Sequence, residues 1–196
     1  MRPRRDFHKT PGERSGPIFG SFQIWAISYL LRDYPRFAGM KILMVCLGNI
    51  CRSPLAEGIL ESKAKKLGLS WEVDSAGTRN NYHIGEAPHP LSQKVAKLNS
   101  VDISRQSARA FVAEDFERFD KIYAMSADIL VHMKHIGRKK FEQSKTDLLL
   151  NEIYPGKNMD VPDPWYGEEP GYHQVFEMIE KACDKIIEKY GYLKTA

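Results

Sequence analysis

The sequence predicts an α/β fold: a three-layer sandwich with a central, mostly parallel four-stranded sheet and helices on both faces. Three observations predict it. From Lys41 onward, short strand-like runs alternate with helical stretches, the signature of βαβ units. The first run, Ile42-Leu43-Met44-Val45, is continuously apolar and reads as a short buried strand. The last long element, Tyr172–Tyr190, is amphipathic, with Val175, Ile179, Ala182, Cys183, Ile186 and Ile187 at its apolar positions.

Taken in order, Ile42–Cys46 is the first strand. Pro54–Leu67 is a helix, with Ser53 as N-cap, Pro54 at its first position and Gly68 as its C-terminal stop. Ser70–Asp74 suits a second strand, and a loop runs from Ser75 to Pro88. Pro90–Leu98 reads as helical, and Ile103 sits in a short turn. Asp120–Met125 is a third strand, after which Ser126 caps a helix through about His135. Lys145–Leu150 is a short final strand, and a loop rich in Pro, Gly and Asn runs from Tyr154 to Gly171.

A length of 196 residues allows one domain with a real core. A hydrophobic share of 42% and an aromatic share of 11% place the chain among globular proteins. The net charge of +4 invites a nucleic-acid reading, so its location decides. Residues 1–39 hold seven basic side chains (Arg2, Arg4, Arg5, Lys9, Arg14, Arg32, Arg36) against three acids (Asp6, Glu13, Asp33). Residues 40–196 hold 22 of each sign, so the domain itself is neutral and nucleic acid is not expected as a partner. Three cysteines do not make a disulfide framework, and no stretch approaches the ~20 apolar residues of a membrane span. A cytoplasmic protein is the expectation.

Function is written most densely at Val45-Cys46-Leu47-Gly48-Asn49-Ile50-Cys51-Arg52-Ser53-Pro54. A strand that ends in a thiol, turns through Gly-Asn and enters a helix at Ser-Pro is suited to hold an anion. The helix N-terminus offers unpaired N–H groups and the positive end of a dipole. Successive N–H groups of the turn form a nest around the same anion. Cys46 and Arg52 stand at the two ends of that nest. This is a phosphate loop after the first strand, with a thiolate beneath a cradled phosphate. Helix N-termini and nearby cations favour the thiolate form of a cysteine. Arg52 suits two-point contact with phosphate oxygens, which Lys cannot copy. Gly48 and Asn49 are expected in the left-handed geometry that turns N–H groups inward.

The run Cys46–Glu57 resembles the phosphate loop of the low-molecular-weight protein tyrosine phosphatases. Asp74-Ser75-Ala76-Gly77-Thr78 and Asp163-Pro164-Trp165-Tyr166-Gly167 resemble two further signatures of that family, in the expected order. The resemblance runs from Met40 to about the C-terminus and makes residues 40–196 the phosphatase domain. It implies hydrolysis of phosphotyrosine through a phosphocysteine on Cys46, with Arg52 binding phosphate and Asp163 as general acid and base. Pro162 and Pro164 stiffen the Asp163 loop. No cofactor and no metal are implied. The partners implied are phosphotyrosine proteins, including a bacterial tyrosine kinase, with no membrane partner; a monomer is expected.

The same resemblance distributes further roles. Tyr82, Trp165 and Tyr166 form the walls of a phosphotyrosine slot, with Leu47 and Ile50 at its base. Relatives resembling protein-arginine phosphatases carry Thr where this chain has Ile50, so Ile favours phosphotyrosine. The loop residues Leu47, Gly48, Asn49, Ile50, Cys51 and Ser53, with Ser75, are expected to bind substrate; the Ser53 hydroxyl also stands to stabilise the Cys46 anion, and Asn49 and Ser75 to support the loop. A histidine that braces the loop Asn in eukaryotic members falls in register with Asp102 here, so the same brace is not expected. Cys51 is the second loop thiol, which in the family forms a reversible disulfide with the nucleophile and protects it; a packing role is its alternative. Cys183 is read as packing. His83 and His89 flank the rim, while His132 and His135 read as solvated surface because no Cys or carboxylate cluster accompanies them.

Because the resemblance begins at Met40, translation starting there is the preferred account of residues 1–39. They would then be a start-site artefact, with a surface arm as the alternative. Arg2-Pro3-Arg4-Arg5 opens like a signal peptide or twin-Arg signal. Gly20, Ser21, Gln23 and Ser28 interrupt the apolar segment that follows, and no small-x-small site ends it. Besides nucleic-acid binding, which the neutral domain disfavours, two rival functions compete with phosphatase activity. An arsenate reductase on the same fold needs two further mid-chain cysteines, and none lies between Cys51 and Cys183. A silent phosphotyrosine-binding module would not need Cys46, Arg52 and Asp163 together.

Overall fold

A computed structural model describes residues 39–79 and 82–191. The start-site and surface-arm readings of residues 1–39 fall almost wholly on residues 1–38, which lie outside the described residues, as does the expected end of the domain over 192–196. Four strands form one sheet: β1 (Lys41–Cys46), β2 (Glu72–Gly77), β3 (Lys121–Ala124) and β4 (Thr146–Leu148). Their order is β2-β1-β3-β4, and every pairing is parallel. The helices are α1 (Arg52–Lys66), α2 (Pro90–Leu98), α3 (Asp115–Arg118), α4 (Ala127–Gly137) and α5 (Glu169–Tyr190).

The alternation of β1 explains the three layers. Ile42, Met44 and Cys46 face a cluster with Leu55, Ile59 and Leu60 of α1 and Ile179, Cys183 and Ile186 of α5. Leu43 and Val45 face the opposite cluster, with Ile129 and Met133 of α4 and the rings of Phe111, Phe116 and Phe119. Every β1 residue from Ile42 to Val45 is fully buried. Each such side chain contributes roughly 1.5–3 kcal/mol of burial. On α5 the six apolar positions read from the sequence are all buried.

Chain order puts ligand chemistry at one place. β1 hands over to β2 on one side, and β3 lies on its other side, so the order reverses about β1. The crevice outside the carboxyl ends of such strands is where ligands bind. Cys46 is the last residue of β1.

Several boundaries move. β2 runs to Gly77 rather than ending at Asp74, so Ser75-Ala76-Gly77 is strand, not loop. Those small residues read as a turn in isolation, but β1 pairs with them through Cys46 and Gly77. α1 starts at Arg52, two residues before the expected Pro54, and its N-cap is Cys51. Ser53 is therefore not the cap, because its hydroxyl is committed to the loop described below. Gly68 does stop the helix: at φ +68° its N–H donates to Lys65 O and that of Leu69 to Ala64 O. β4 is three residues long and passes into a 3-10 turn, Leu149–Glu152. α5 starts three residues before Tyr172, and α3 carried no expectation. Ser126 occupies the N-cap of α4, yet its hydroxyl donates to the Asp128 carboxylate rather than capping an N–H.

Candidate active site

The turn between β1 and α1 is organised around Cys46 Sγ. Asn49 N–H donates to it at 3.2 Å and the Ser53 hydroxyl at 3.0 Å. Donors converging on a sulfur stabilise its anion. Asn49 makes the turn possible, with φ +58° in the left-handed region that Asn tolerates. Gly48 does not share that geometry, contrary to expectation; its φ is ordinary. What it supplies is room, since a Cβ there would lie 3.0 Å from the His83 ring.

A side-chain network holds this turn from below. The Asn49 amide donates to Ser53 Oγ at 2.9 Å and to Ser75 Oγ at 2.8 Å. Its Oδ1 accepts the Arg109 backbone N–H at 2.8 Å. Ser75 in turn donates to Glu57 Oε2 at 2.5 Å. Burial, and after it the nearby Asp74 and Glu61 charges, push the Glu57 carboxyl up to about 7, while the Ser75 hydrogen bond pulls the other way. Gly77 closes the contact: a Cβ would stand 2.8 Å from Leu47 O and 3.0 Å from the Gly48 carbonyl carbon. Asp102 takes no part; it is exposed and accepts the Ser104 N–H. The brace on Asn49 is the Arg109 peptide instead.

The acid loop arrives from the other direction. Val161 N–H donates to Met125 O at 2.8 Å, fixing the loop to the end of β3. Arg52 Nη1 donates to Val161 O at 3.1 Å, and Nη2 meets Asp163 Oδ2 at 2.5 Å. The Arg52 side chain is 7% exposed and that of Asp163 37%, so the pair reaches from floor to surface. Asp163 Oδ1 also accepts the Trp165 N–H at 3.1 Å, which curls the loop back on itself.

These parts line one cavity of about 310 Å³, with Cys46, Leu47, Gly48, Ile50, Cys51 and Arg52 at its base. Its walls are Tyr82, His83, Asp163, Trp165 and Tyr166, joined by Arg79. Asn49, Ser53 and Ser75, expected to bind substrate, do not line it; they hold the loop and its sulfur from behind. His89 lies outside the cavity but packs edge-on to Trp165 and stacks on Tyr172, each at 5.3 Å between ring centres. Burial holds its imidazole below the usual histidine range. His132 and His135 are exposed, and His132 Nδ1 shares a 3.3 Å hydrogen bond with the Thr78 hydroxyl. Among the described residues, no group of three His, Cys, Asp or Glu side chains is gathered to hold a metal.

Cys51 sits in the same turn but in different surroundings. Burial first, then the neighbouring Cys46 and Asp163, push its thiol up to about 12, although the Tyr172 hydroxyl 3.9 Å away opposes this. Cys183 is fully buried against α1, where its thiol donates to Ala56 O. Arg79, Arg109 and Glu57 are site residues that sequence reasoning did not assign. Glu57 lay within the quoted motif, one helical turn past Ser53; Arg79 and Arg109 carried no local signal.

The chain is similar to known proteins over this same domain. The family model for the low molecular weight phosphotyrosine protein phosphatases matches residues 41–193. The low molecular weight protein-tyrosine-phosphatase YfkJ of Bacillus subtilis is 33% identical over 150 residues, covering 76% of this chain and 94% of the relative. A crystal structure of a protein tyrosine phosphatase from Entamoeba histolytica superposes with a TM-score of 0.70 at 35% identity. That match covers 77% of this chain and 96% of the other. The YwlE arginine phosphatase, solved as a cysteine-to-serine variant with a phosphorylated active-site serine, superposes at 0.69 with 26% identity over 78% of this chain and 97% of its own. Since the matched stretch runs from β1 past the end of α5, the chain belongs to the low molecular weight phosphotyrosine protein phosphatase family and is a hydrolase of that class.

Proposed function

We propose that the protein hydrolyses phosphotyrosine in proteins through a phosphocysteine on Cys46. The observation that carries the reading is the convergence on Cys46 Sγ of the Asn49 N–H and the Ser53 hydroxyl, in one cavity with the Arg52–Asp163 pair. The sulfur attacks phosphorus while the ester P–O bond breaks on the opposite side. Arg52 takes two phosphate oxygens, and the loop N–H groups take the rest. That exchange frees the Asp163 carboxylate, which takes up a proton from solvent and passes it to the departing phenolate oxygen as the P–O bond breaks. Asp163 then removes a proton from water, the water oxygen bonds to phosphorus, the S–P bond breaks and inorganic phosphate leaves.

Substrate class follows from depth and walls. The nucleophile is 3% exposed, whereas Tyr82, Trp165 and Tyr166 stand well out of the surface. A phosphate carried at the end of an aromatic ring reaches Cys46 past aromatic walls; a phosphoserine is too short. Ile50 at the base is apolar and supports phosphotyrosine over phosphoarginine. The arsenate-reductase alternative is not supported, because Cys183, which alone follows Cys51, is buried against α1. A free thiolate nucleophile suits a reducing compartment, which supports the cytoplasmic assignment.

The test is turnover of phosphotyrosine, phosphoserine and phosphoarginine peptides under reducing conditions without metal, beside Cys46→Ser. Phosphotyrosine turnover that vanishes in the variant is the expected result. Folded, reduced wild type that turns over none of them would sink the reading, and a preference for phosphoarginine would redirect it.

A further inference from the structure

We infer that Arg79 is a specificity-determining residue, selecting substrates with an acidic side chain next to the phosphotyrosine. The inference rests on the phosphatase reading above and adds to it which peptides are preferred. Arg79 is exposed and lines the same cavity as Cys46 and Asp163. Its position is fixed by the phosphate loop itself: its N–H donates to Leu47 O at 3.0 Å, and that of Thr78 to Cys46 O at 3.0 Å. The guanidinium carbon lies 5.8 Å from the centre of the Tyr82 ring, within cation–π range. The charge is therefore held on the wall of the slot rather than swinging free in solvent.

The balance of charge at the mouth gives this cation its use. Asp163 is engaged by Arg52, and Glu86, which does not line the cavity, shares a 2.8 Å hydrogen bond with His83. Among the described residues no carboxylate lies within ion-pair distance of Arg79. With the phosphate at Cys46 and the tyrosine ring between Tyr82 and Trp165, the flanking residues of the peptide lie on the rim. An Asp or Glu there meets a guanidinium whose fork matches a carboxylate. Exposed ion pairs of this kind are modest, so the preference is about two- to fivefold, and salt screens it.

The experiment measures kcat and KM for two phosphotyrosine peptides that differ only in Asp or Asn beside the phosphotyrosine. Wild type, Arg79→Ala and Arg79→Lys are compared at low and high salt, with an unflanked aryl phosphate as reference. Wild type should favour the Asp peptide through KM at low salt, and lose that preference at high salt. Arg79→Ala should bring the two peptides level, while Arg79→Lys keeps part of the preference. A wild type indifferent to Asp, or an Arg79→Ala protein that still prefers it, overturns the inference alone. Absence of aryl phosphate turnover overturns the phosphatase reading and this inference with it.

Discussion

Arg52 Nη2 and Asp163 Oδ2 lie 2.5 Å apart, a contact between residues separated by 111 positions. It joins the phosphate loop to the acid loop, so the group proposed to hold phosphate also holds the proposed acid. The two roles exclude each other at one guanidinium nitrogen. In the proposed mechanism, phosphate arriving on Arg52 would displace Asp163 toward the leaving oxygen, and product release would restore the pair.

Asp163→Asn separates these roles. Without a proton donor, kcat on phosphotyrosine peptides should fall by about 10²–10⁴-fold. The loss should shrink for aryl phosphates whose phenolate leaves without help. Inhibition by inorganic phosphate should not weaken, since Arg52 loses its competitor. Equal losses for good and poor leaving groups would show that Asp163 acts on the loop and not on the proton.

Asn49 is held by four hydrogen bonds, one from its N–H and three through its amide. Its left-handed backbone adds a second constraint. Asn49→Ala removes the amide and strains the backbone, which together cost about 3–4 kcal/mol of stability. Asn49→Gly loses the same hydrogen bonds but relaxes at φ +58°. Thermal unfolding should therefore rank wild type above Gly and Gly above Ala, while both variants lose most of their kcat. Ala as stable as Gly would mean that the turn does not depend on the left-handed residue.

Gly77→Ala tests whether β2 sets the height of the phosphate loop. The added methyl would meet backbone atoms of Leu47, Gly48 and Asn49 at 2.8–3.1 Å, none of which can rotate away. Shifting the nest by a fraction of an ångström misplaces the reacting atoms, so kcat/KM should drop by about 10–100-fold. Circular dichroism should still report a folded protein. Unchanged activity would place the loop under other control.

How far the sequence carried this reading depended on whether a contact was local. The strand–turn–helix at Cys46–Arg52 was legible because its apolar run, its left-handed Asn and its Pro all lie within a dozen residues. The αL stop at Gly68 and the buried face of α5 were legible for the same reason. The end of β2 was not, because Ser75-Ala76-Gly77 has poor strand propensity and is made a strand only by pairing with β1. Ser53 reads as a cap from its neighbours, but the other role its position suggests, a hydroxyl on the Cys46 sulfur, is the one it takes. Arg109 reaches Asn49 across 60 positions through its backbone N–H, which no side-chain motif records.

Glu57 makes a pH dependence of stability that can be signed in advance. Its folded value is raised from 4.5 to about 7, chiefly by burial and next by Asp74. A carboxyl raised on folding binds its proton more tightly in the native state than in the unfolded chain. Its contribution to stability is thus fully present below about 4.5 and is lost as pH rises through about 7. Above that, the fold confines a charge that the unfolded chain would hydrate. Gln has the same shape, no charge, and an Oε1 that accepts from the Ser75 hydroxyl in place of Glu57 Oε2. The Tm of Glu57→Gln relative to wild type should therefore rise from pH 5 to pH 8, with the variant the more stable protein at pH 8. Differential scanning calorimetry across that range checks it. A difference that stays flat would mean that Glu57 ionises in the folded protein as it does in the unfolded chain, and that the network under Asn49 carries a full negative charge at neutral pH.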